Sequence, residues 1–569
     1  MYSLPTYSLL PTTYFLLPLL FLLLFYFYPI LSILSLSFAP EGRLDLAALE
    51  KLVTTSYYAK TLWFTFWQAA LSTLLTLALA LPAAYVFARY RFPGKSLLQA
   101  LTTIPFVLPT LVVANAFTAL LGPRGLLNTG LMSLFGLETP PLELQYTLGL
   151  ILLAHVFYNY TIVLRLVSGF WANLDPRLAE AGQMLGVGRW QTFRQITLPL
   201  LLPVIGAAAL LVFIFCFTSF GVILILGGPR FATLEVEIYR QAVNLFNLPL
   251  AATLSLIQIG FIFALMLLYT RLQAHLSRPL TLKSQQSTQR VPRTWPERLL
   301  VGGNIGVMIL LIGAPLAALA VRSLTAAGQF SWGYYQALLS DIPQNRGLFF
   351  VPPGQAITNS LFFGLATVLL ATLLGLSAAV ALTSKSLITN YQSPLSRLRT
   401  LLDTVVMLPL ATSAVTLGFG FIIALDEPPL NLRTSPALIV IAHTLVALPF
   451  VVRSLLPALR SIQPSLREAA AILGAAPFRV WREVDLPIAS RALLVGAVFA
   501  FTISMGEFGA TVFIARPDTP TMPVAIFRFL DQPGALNYGQ ALAMSTLLML
   551  VCGVGFLLIE RFRVGGGEF

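Results

Sequence analysis

Charge is what this sequence has least of. Asp, Glu, Lys and Arg make up 10% of its 569 residues, where an ordinary globular chain carries about 25%. Hydrophobic residues account for 57%, and the mean hydropathy is +0.83. So few charges cannot cover so much apolar surface in water. That excludes a soluble enzyme, a disordered chain and a collagen-like fibre, and it assigns the protein to a bilayer. Cysteine is nearly absent too. Cys216 and Cys552 both lie in apolar runs, so neither a disulfide framework nor a cysteine-based metal site is available. No Ser/His/Asp arrangement, no paired carboxylates at catalytic spacing and no Cys/His ligand pattern occurs. A nucleotide-binding phosphate loop is missing as well. Gly94-Lys95-Ser96 has the tail of one, but Arg89 stands where its first glycine belongs and no strand precedes it.

What is present is a succession of long apolar runs. A membrane helix needs about 20 such residues. The sequence predicts twelve spans: 14–36, 62–88, 98–121, 146–167, 201–226, 249–270, 299–321, 356–383, 400–425, 437–456, 491–514 and 536–559. The first is expected to stay as an anchor, because residues 1–40 hold no Lys or Arg and the run is too long for a signal-peptide core. The net charge of +13 has a membrane explanation and calls for no nucleic-acid partner. Of the 35 Lys and Arg, 24 fall in the loops after even-numbered spans or at the C-terminus, leaving 11 for the other side. The positive-inside rule then puts those loops and both termini in the cytoplasm. Trp63, Trp67 and Tyr85, near span ends, suit an interfacial belt.

The chain also repeats itself. Shifted by 288 residues, 150–240 aligns with 438–528 without a gap and with 24 identities. They include His155/His443, Arg165/Arg453, Glu180/Glu468, Gly186/Gly474, Pro199/Pro487 and Phe220-Gly221/Phe508-Gly509. Apolar bias cannot align His, Arg, Glu, Gly and Pro at one offset. Six spans fit in the offset, so both copies enter the membrane in the same sense, a parallel repeat. The polar, Pro- and Arg-rich stretch 271–298 reads as a cytoplasmic linker between a first half, 1–270, and a second, 299–569. The expected fold is therefore an all-α integral membrane protein of twelve transmembrane helices in two parallel six-helix repeats.

The strongest motif lies in two equivalent loops, EAGQMLGVGRWQTFRQITLP (180–199) and EAAAILGAAPFRVWREVDLP (468–487). Both follow E-A-[GA]-x3-G-x9-[IV]-x-L-P. Glu180, Ala181, Gly186, Leu198 and Pro199 answer to Glu468, Ala469, Gly474, Leu486 and Pro487. Each loop reads as a short helix, a glycine turn and a second short helix stopped by proline, with Asp175 as N-cap and Pro176 at the first helical position. The pattern resembles the EAA loop in permease subunits of ATP-binding-cassette (ABC) importers. The segments FTFWQAALSTLL (64–75), ILLAHVFYN (151–159), ATLEVEIYRQA (232–242) and SMGEFG (504–509) are similar to the fused two-half permeases of thiamine and ferric-iron importers, the thiamine type more closely.

That resemblance implies the type I importer permease fold and a set of partners: two ABC ATPase subunits gripping the EAA loops, an extracytoplasmic solute-binding protein, and the bilayer. It implies no cofactor, no metal and no catalytic residue in this chain, since the energy comes from ATP hydrolysed by a separate subunit. Thiamine and ferric iron are the expected substrates. An intramembrane carboxylate is a functional candidate, so Glu507, its repeat mate Ser219 and the neighbouring Gly221 and Gly509 are expected to border the translocation pathway. His155 and His443 read as hydrogen-bonded packing residues, and Arg165 and Arg453 as side chains snorkelling to the interface. Two rivals stand against this. A secondary transporter with two six-helix repeats leaves the paired loops unexplained, and a membrane-embedded enzyme built on His155, His443 and Glu507 lacks a spaced catalytic set.

Overall fold

The structure is a computed structural model. It describes residues 10–40, 42–175, 177, 181–182, 184, 186, 188–276, 289–326, 328–339, 352–383, 394–426, 428 and 430–563. Among these residues helix dominates, and the one sheet is a two-stranded hairpin of Thr325–Ala326 against Gln329–Phe330. Eleven helices among the described residues are long and apolar enough to cross a membrane. A twelfth span exists if the bent pair Thr400–Ala411 and Ala414–Ala424 counts as one. The protein is an all-α, multi-pass membrane protein, with eleven to twelve spans against the twelve expected.

Several span boundaries differ from those expected, because hydropathy records where apolar residues lie and not where the backbone can stay helical. The stretch 98–121 is not one helix. Lys95–Val107 ends at Leu108, which is extended at φ −70°, ψ 139°, since a residue before proline is pushed out of the helical region. The span itself runs Thr110–Phe135. The stretches 201–226 and 491–514 are also interrupted. The long helices Trp190–Phe217 and Pro477–Gly506 end early, and short helices Gly221–Leu226 and Thr511–Ile514 follow each break. The stretch 400–425 bends by 96°, with Thr412 and Ser413 extended at the corner.

Pro199 and Pro487 do not stop a loop helix, contrary to expectation. The helices run through them into the membrane, and a shared device makes this possible. Leu23–Phe27, Phe193–Thr197, Ile309–Gly313 and Trp481–Asp485 are wide helical turns. Each is followed at the second residue by a proline: Pro29, Pro199, Pro315 or Pro487. In three of them the residue after the turn donates its N–H five residues back, Tyr28 to Leu23, Leu198 to Phe193 and Leu486 to Trp481. Proline in a regular helix clashes with the carbonyl four residues earlier. A single π-turn placed there moves that carbonyl aside.

The helices pack as two compact units, Met1–Leu46 with Gln241–Leu256 and Trp332–Phe569, and Ala47–Arg240 with Ile257–Ser331. Each unit therefore takes its first span from the other half of the sequence. In the former, Phe15–Phe38 lies on Pro353–Thr383 and Ala414–Ala424, where Phe15, Leu22 and Ile33 are buried with Phe363, Phe419 and Phe421. Pro353–Thr383 approaches Ala437–Ser461 so closely that a Cβ on Gly375 would stand 2.6 Å from Val451 Cγ1. In the latter, Ser56–Arg89 buries a stripe of Thr65, Ala69, Ser72, Thr76, Ala80 and Ala83 and exposes Trp63 and Leu74. That stripe faces Leu148–Asn173 and Leu198–Phe217, while Ala314–Ser323 packs on Thr110–Leu121. Between lipid-embedded helices apolar burial gives no net drive, so close packing of small residues does the joining.

Candidate functional site: two exposed knobs and two buried histidine clusters

The second loop is described in full. Pro464 opens the helix Pro464–Ile472, and Leu473 ends it. Gly474 follows at φ +79°, a conformation that costs an ordinary L-residue about 1–2 kcal/mol. The Gly474 N–H donates to Ala471 O at 3.0 Å and the Ala475 N–H to Ala470 O at 3.1 Å, so the last carbonyls of the helix are satisfied. The chain then turns into Pro477–Gly506. Arg467 Nε meets Asp485 Oδ1 at 2.7 Å and ties the short helix to the long one. Glu468 and Ala469 are exposed, as is Pro487, while Leu486 is half-buried. The crest is apolar, with Ile472 86%, Leu473 87% and Phe478 70% exposed.

The first loop matches it where it is described. Asp175 Oδ1 accepts the Arg177 N–H at 3.0 Å, the cap expected. Glu180 lies outside the described residues. Ala181 is exposed, and Gly182 is buried, where a Cβ would stand 2.6 Å from Ile196 Cδ1. Gly186 takes φ +83° with nothing within 4 Å of a Cβ position, so backbone conformation alone calls for glycine there. Leu198 is half-buried and Pro199 exposed. Met184 and Trp190 are 89% and 73% exposed. Large apolar side chains exposed together mark a surface that something else covers.

The residues expected along a pathway sit at the breaks in the two long helices, each beside a buried histidine. His155 Nδ1 is 2.8 Å from Ser72 Oγ, and its Nε2 is 2.9 Å from Ser219 Oγ. In the other unit His443 Nδ1 is 2.6 Å from Ser504 Oγ, and its Nε2 is 2.9 Å from Thr511 Oγ1. Both histidines thus have both ring nitrogens bonded, which fits their reading as packing residues. Glu507 is buried and its carboxylate is turned onto the break itself. It accepts the Ala510 N–H at 2.7 Å, the Thr511 N–H at 2.9 Å and the Thr511 hydroxyl, and His443 Nε2 lies 3.5 Å away. Gly221 starts the short helix after the first break. Gly509 lets the second break approach Ala414, whose Cβ would be 2.9 Å from a Cβ on the glycine. Arg165 Nη2 donates to Gln99 O at 3.3 Å, and Arg453 Nε lies 3.3 Å from Met407 Sδ.

Sequence reasoning found one buried acid and missed two. Glu235 and Glu237 are buried as well. Gln258 Nε2 donates to Glu235 Oε1. Glu237 Oε2 accepts the Tyr57 hydroxyl at 2.8 Å and stands 3.6 Å from Arg240 Nη1. Their repeat mates are Pro523 and Ala525, so the repeat carried no signal for them. Period carried none either: the alternation in LEVEIY (234–239) is that of a strand, while the segment is a helix buried on nearly every side.

Comparison with known proteins agrees with this architecture. The family model described as "Binding-protein-dependent transport system inner membrane component" matches residues 77–281 and again 371–563, one copy in each half. The thiamine transport system permease protein of Brucella abortus (strain 2308) is 28% identical over 509 residues, 89% of this chain and 88% of that protein. The thiamine transport system permease protein of Escherichia coli (strain K12) is 28% identical over 507 residues, 89% of each chain. A probable ABC transporter permease protein of Sinorhizobium fredii is 25% identical over 565 residues, 95% of each chain. Among solved structures, a bacterial ABC transporter involved in the import of the acidic polysaccharide alginate aligns with TM-score 0.41 and 17% identity, over 47% of this chain and 96% of that one. With two matched copies spanning well over half of its length, this chain belongs to the inner-membrane components of binding-protein-dependent transport systems and is the permease subunit of an ABC importer.

Proposed function

We propose that this permease carries thiamine into the cytoplasm, both halves of the transport channel being fused in one chain as 1–270 and 299–569 joined by 271–298. The observation that carries the coupling part of this reading is the pair of exposed apolar crests at equivalent glycine turns, Gly186 and Gly474. Each crest docks one ABC ATPase subunit, so two such subunits bind, and ATP-driven closure between them is transmitted through Pro199 and Pro487 into the long membrane helices. Glu180, Ala181, Leu198, Glu468, Ala469 and Leu486 shape the same two surfaces. An extracytoplasmic solute-binding protein delivers the substrate at the opposite face, and both termini are cytoplasmic. The chain itself performs no covalent chemistry, while the assembled complex is an ATP-driven translocase.

The thiamine assignment rests on relatives that share most of their length with this chain and are thiamine permeases. We propose further that the breaks at Ser219–Gly221 and Glu507–Gly509 border the route, with Glu507 holding the shape of its break through its own hydrogen bonds. The test is uptake into proteoliposomes that contain this permease, its ATPase and its binding protein. ATP-dependent accumulation of thiamine, with none of ferric iron, is the expected result. Iron uptake without thiamine uptake overturns the substrate, and uptake driven by an ion gradient without ATP returns the secondary-transporter reading.

A further inference from the structure

A basic platform forms in the unit Ala47–Arg240 with Ile257–Ser331, where two segments 200 residues apart in sequence are fastened together. The Arg91 N–H donates to Arg290 O at 2.9 Å, and the Arg290 N–H donates to Arg89 O at 3.0 Å. The Arg290 guanidinium lies over the Tyr90 ring, 5.4 Å from its centroid, and its Nη2 reaches Glu297 Oε1 at 2.7 Å. The bridge joins the end of the membrane helix Ser56–Arg89 to the start of the membrane helix Trp295–Ser323. The two joined segments carry six basic residues, Arg89, Arg91, Lys95, Arg290, Arg293 and Arg298, and among their described residues 89–98 and 289–298 one acid, Glu297.

Not all six have the same job. Lys95 Nζ is held by the carbonyls of Phe87 at 2.5 Å and Tyr90 at 3.0 Å, where it caps the helix end. Burial pushes its ammonium down to about 8, as expected of a half-buried structural lysine. Glu297 completes the capping box that Thr294 opens on the next helix, accepting the N–H groups of Arg293 at 2.9 Å and Thr294 at 3.2 Å, and it offsets Arg290. Arg89 is half-buried at the end of its helix, which leaves Arg91, Arg293 and Arg298. All three side chains are exposed, and among the described residues none is ion-paired. Trp295, between Arg293 and Arg298 in sequence, is 70% exposed, and indole rings favour the headgroup level of a bilayer. Orienting a span needs positive charge only somewhere near its end. It does not call for charges from two distant segments to be clamped into one patch.

We propose that Arg91, Arg293 and Arg298 form a binding site for the phosphate headgroup of anionic phospholipids, with Trp295 seated beside them at the membrane interface. Clusters of four to eight basic residues next to a span attract anionic lipid, each contributing additively, and guanidinium groups match phosphate through paired N–H donors. The site lies outside the coupling loops and is independent of the substrate. Only its leaflet depends on the orientation proposed above.

The test is lipid retention by the purified full-length permease, measured by native mass spectrometry after equilibration with mixed phosphatidylglycerol and phosphatidylethanolamine vesicles. The wild-type protein should keep phosphatidylglycerol selectively. The triple variant Arg91→Gln, Arg293→Gln, Arg298→Gln should retain it on the order of a hundredfold less. A control triple variant, Arg43→Gln, Arg230→Gln, Arg516→Gln, should retain it like wild type. Equal retention by both triple variants, or equal loss, overturns the proposal. Loss of ATPase co-purification with lipid retention unchanged gives the patch to a protein partner and overturns it as well.

Discussion

Glu507 illustrates how much a single side chain's meaning depends on what it touches. Read in sequence, it is an intramembrane carboxylate beside a glycine and invites a role in contacting a cation. In the structure its oxygens are engaged by two backbone N–H groups and a hydroxyl at the break it belongs to. Glu507→Gln turns one of those oxygens into a donor that faces other donors. A buried hydrogen bond to a charged group is worth about 1.5–3 kcal/mol, so the variant should melt earlier in detergent and transport more slowly, with KM for the substrate unchanged. A rise in KM at normal thermal stability would show instead that the carboxylate contacts the substrate. Glu235 and Glu237 make the complementary point. Their burial was not legible because the repeat pairs them with Pro523 and Ala525, and only tertiary packing brings Tyr57 and Gln258 to them.

At the scale of elements, the knobs were legible almost residue by residue, since a glycine turn flanked by helix formers is a local property. Their continuity with the membrane helices was not. Proline suggests a stop, and only the wide turn before it lets the helix proceed. Because a Cβ at Gly186 or Gly474 meets nothing within 4 Å, substitutions there act through φ alone. Gly474→Val should cost about 1–2 kcal/mol or more locally and release the ATPase, while insertion of the permease into the membrane is kept. Gly474→Asn, which tolerates the left-handed conformation, should retain most of the co-purified ATPase. Equal co-purification by wild type and the Val variants of both loops would falsify the docking role of the knobs.

For the molecule as a whole, the positive-inside asymmetry predicts the sidedness of every loop. A single cysteine placed within 280–292 should react only with a reagent on the cytoplasmic side, and one within 340–350 only from outside. The opposite pattern reverses the orientation and moves both knobs away from any cytoplasmic ATPase. The packing units carry a second lesson. Sequence divides the chain at 271–298, yet Phe15–Phe38 is buried among helices of the second half, and Ala314–Ser323 packs on a helix of the first.

The sequence alone determined the medium, the number of spans to within one, the repeat and the two glycine-turn loops. Each follows from composition, from a 288-residue offset or from a short motif, all of which are local or periodic properties of the chain. Tertiary structure alone decided where the spans break, which half each first span joins, what the buried carboxylates and histidines hold, and that the segments of Arg91 and Arg290 are fastened together. These depend on helix-to-helix contacts between residues far apart in the chain. In a bilayer such contacts are chosen by close fit and hydrogen bonding between helices that are all apolar, so hydropathy cannot distinguish one pairing from another.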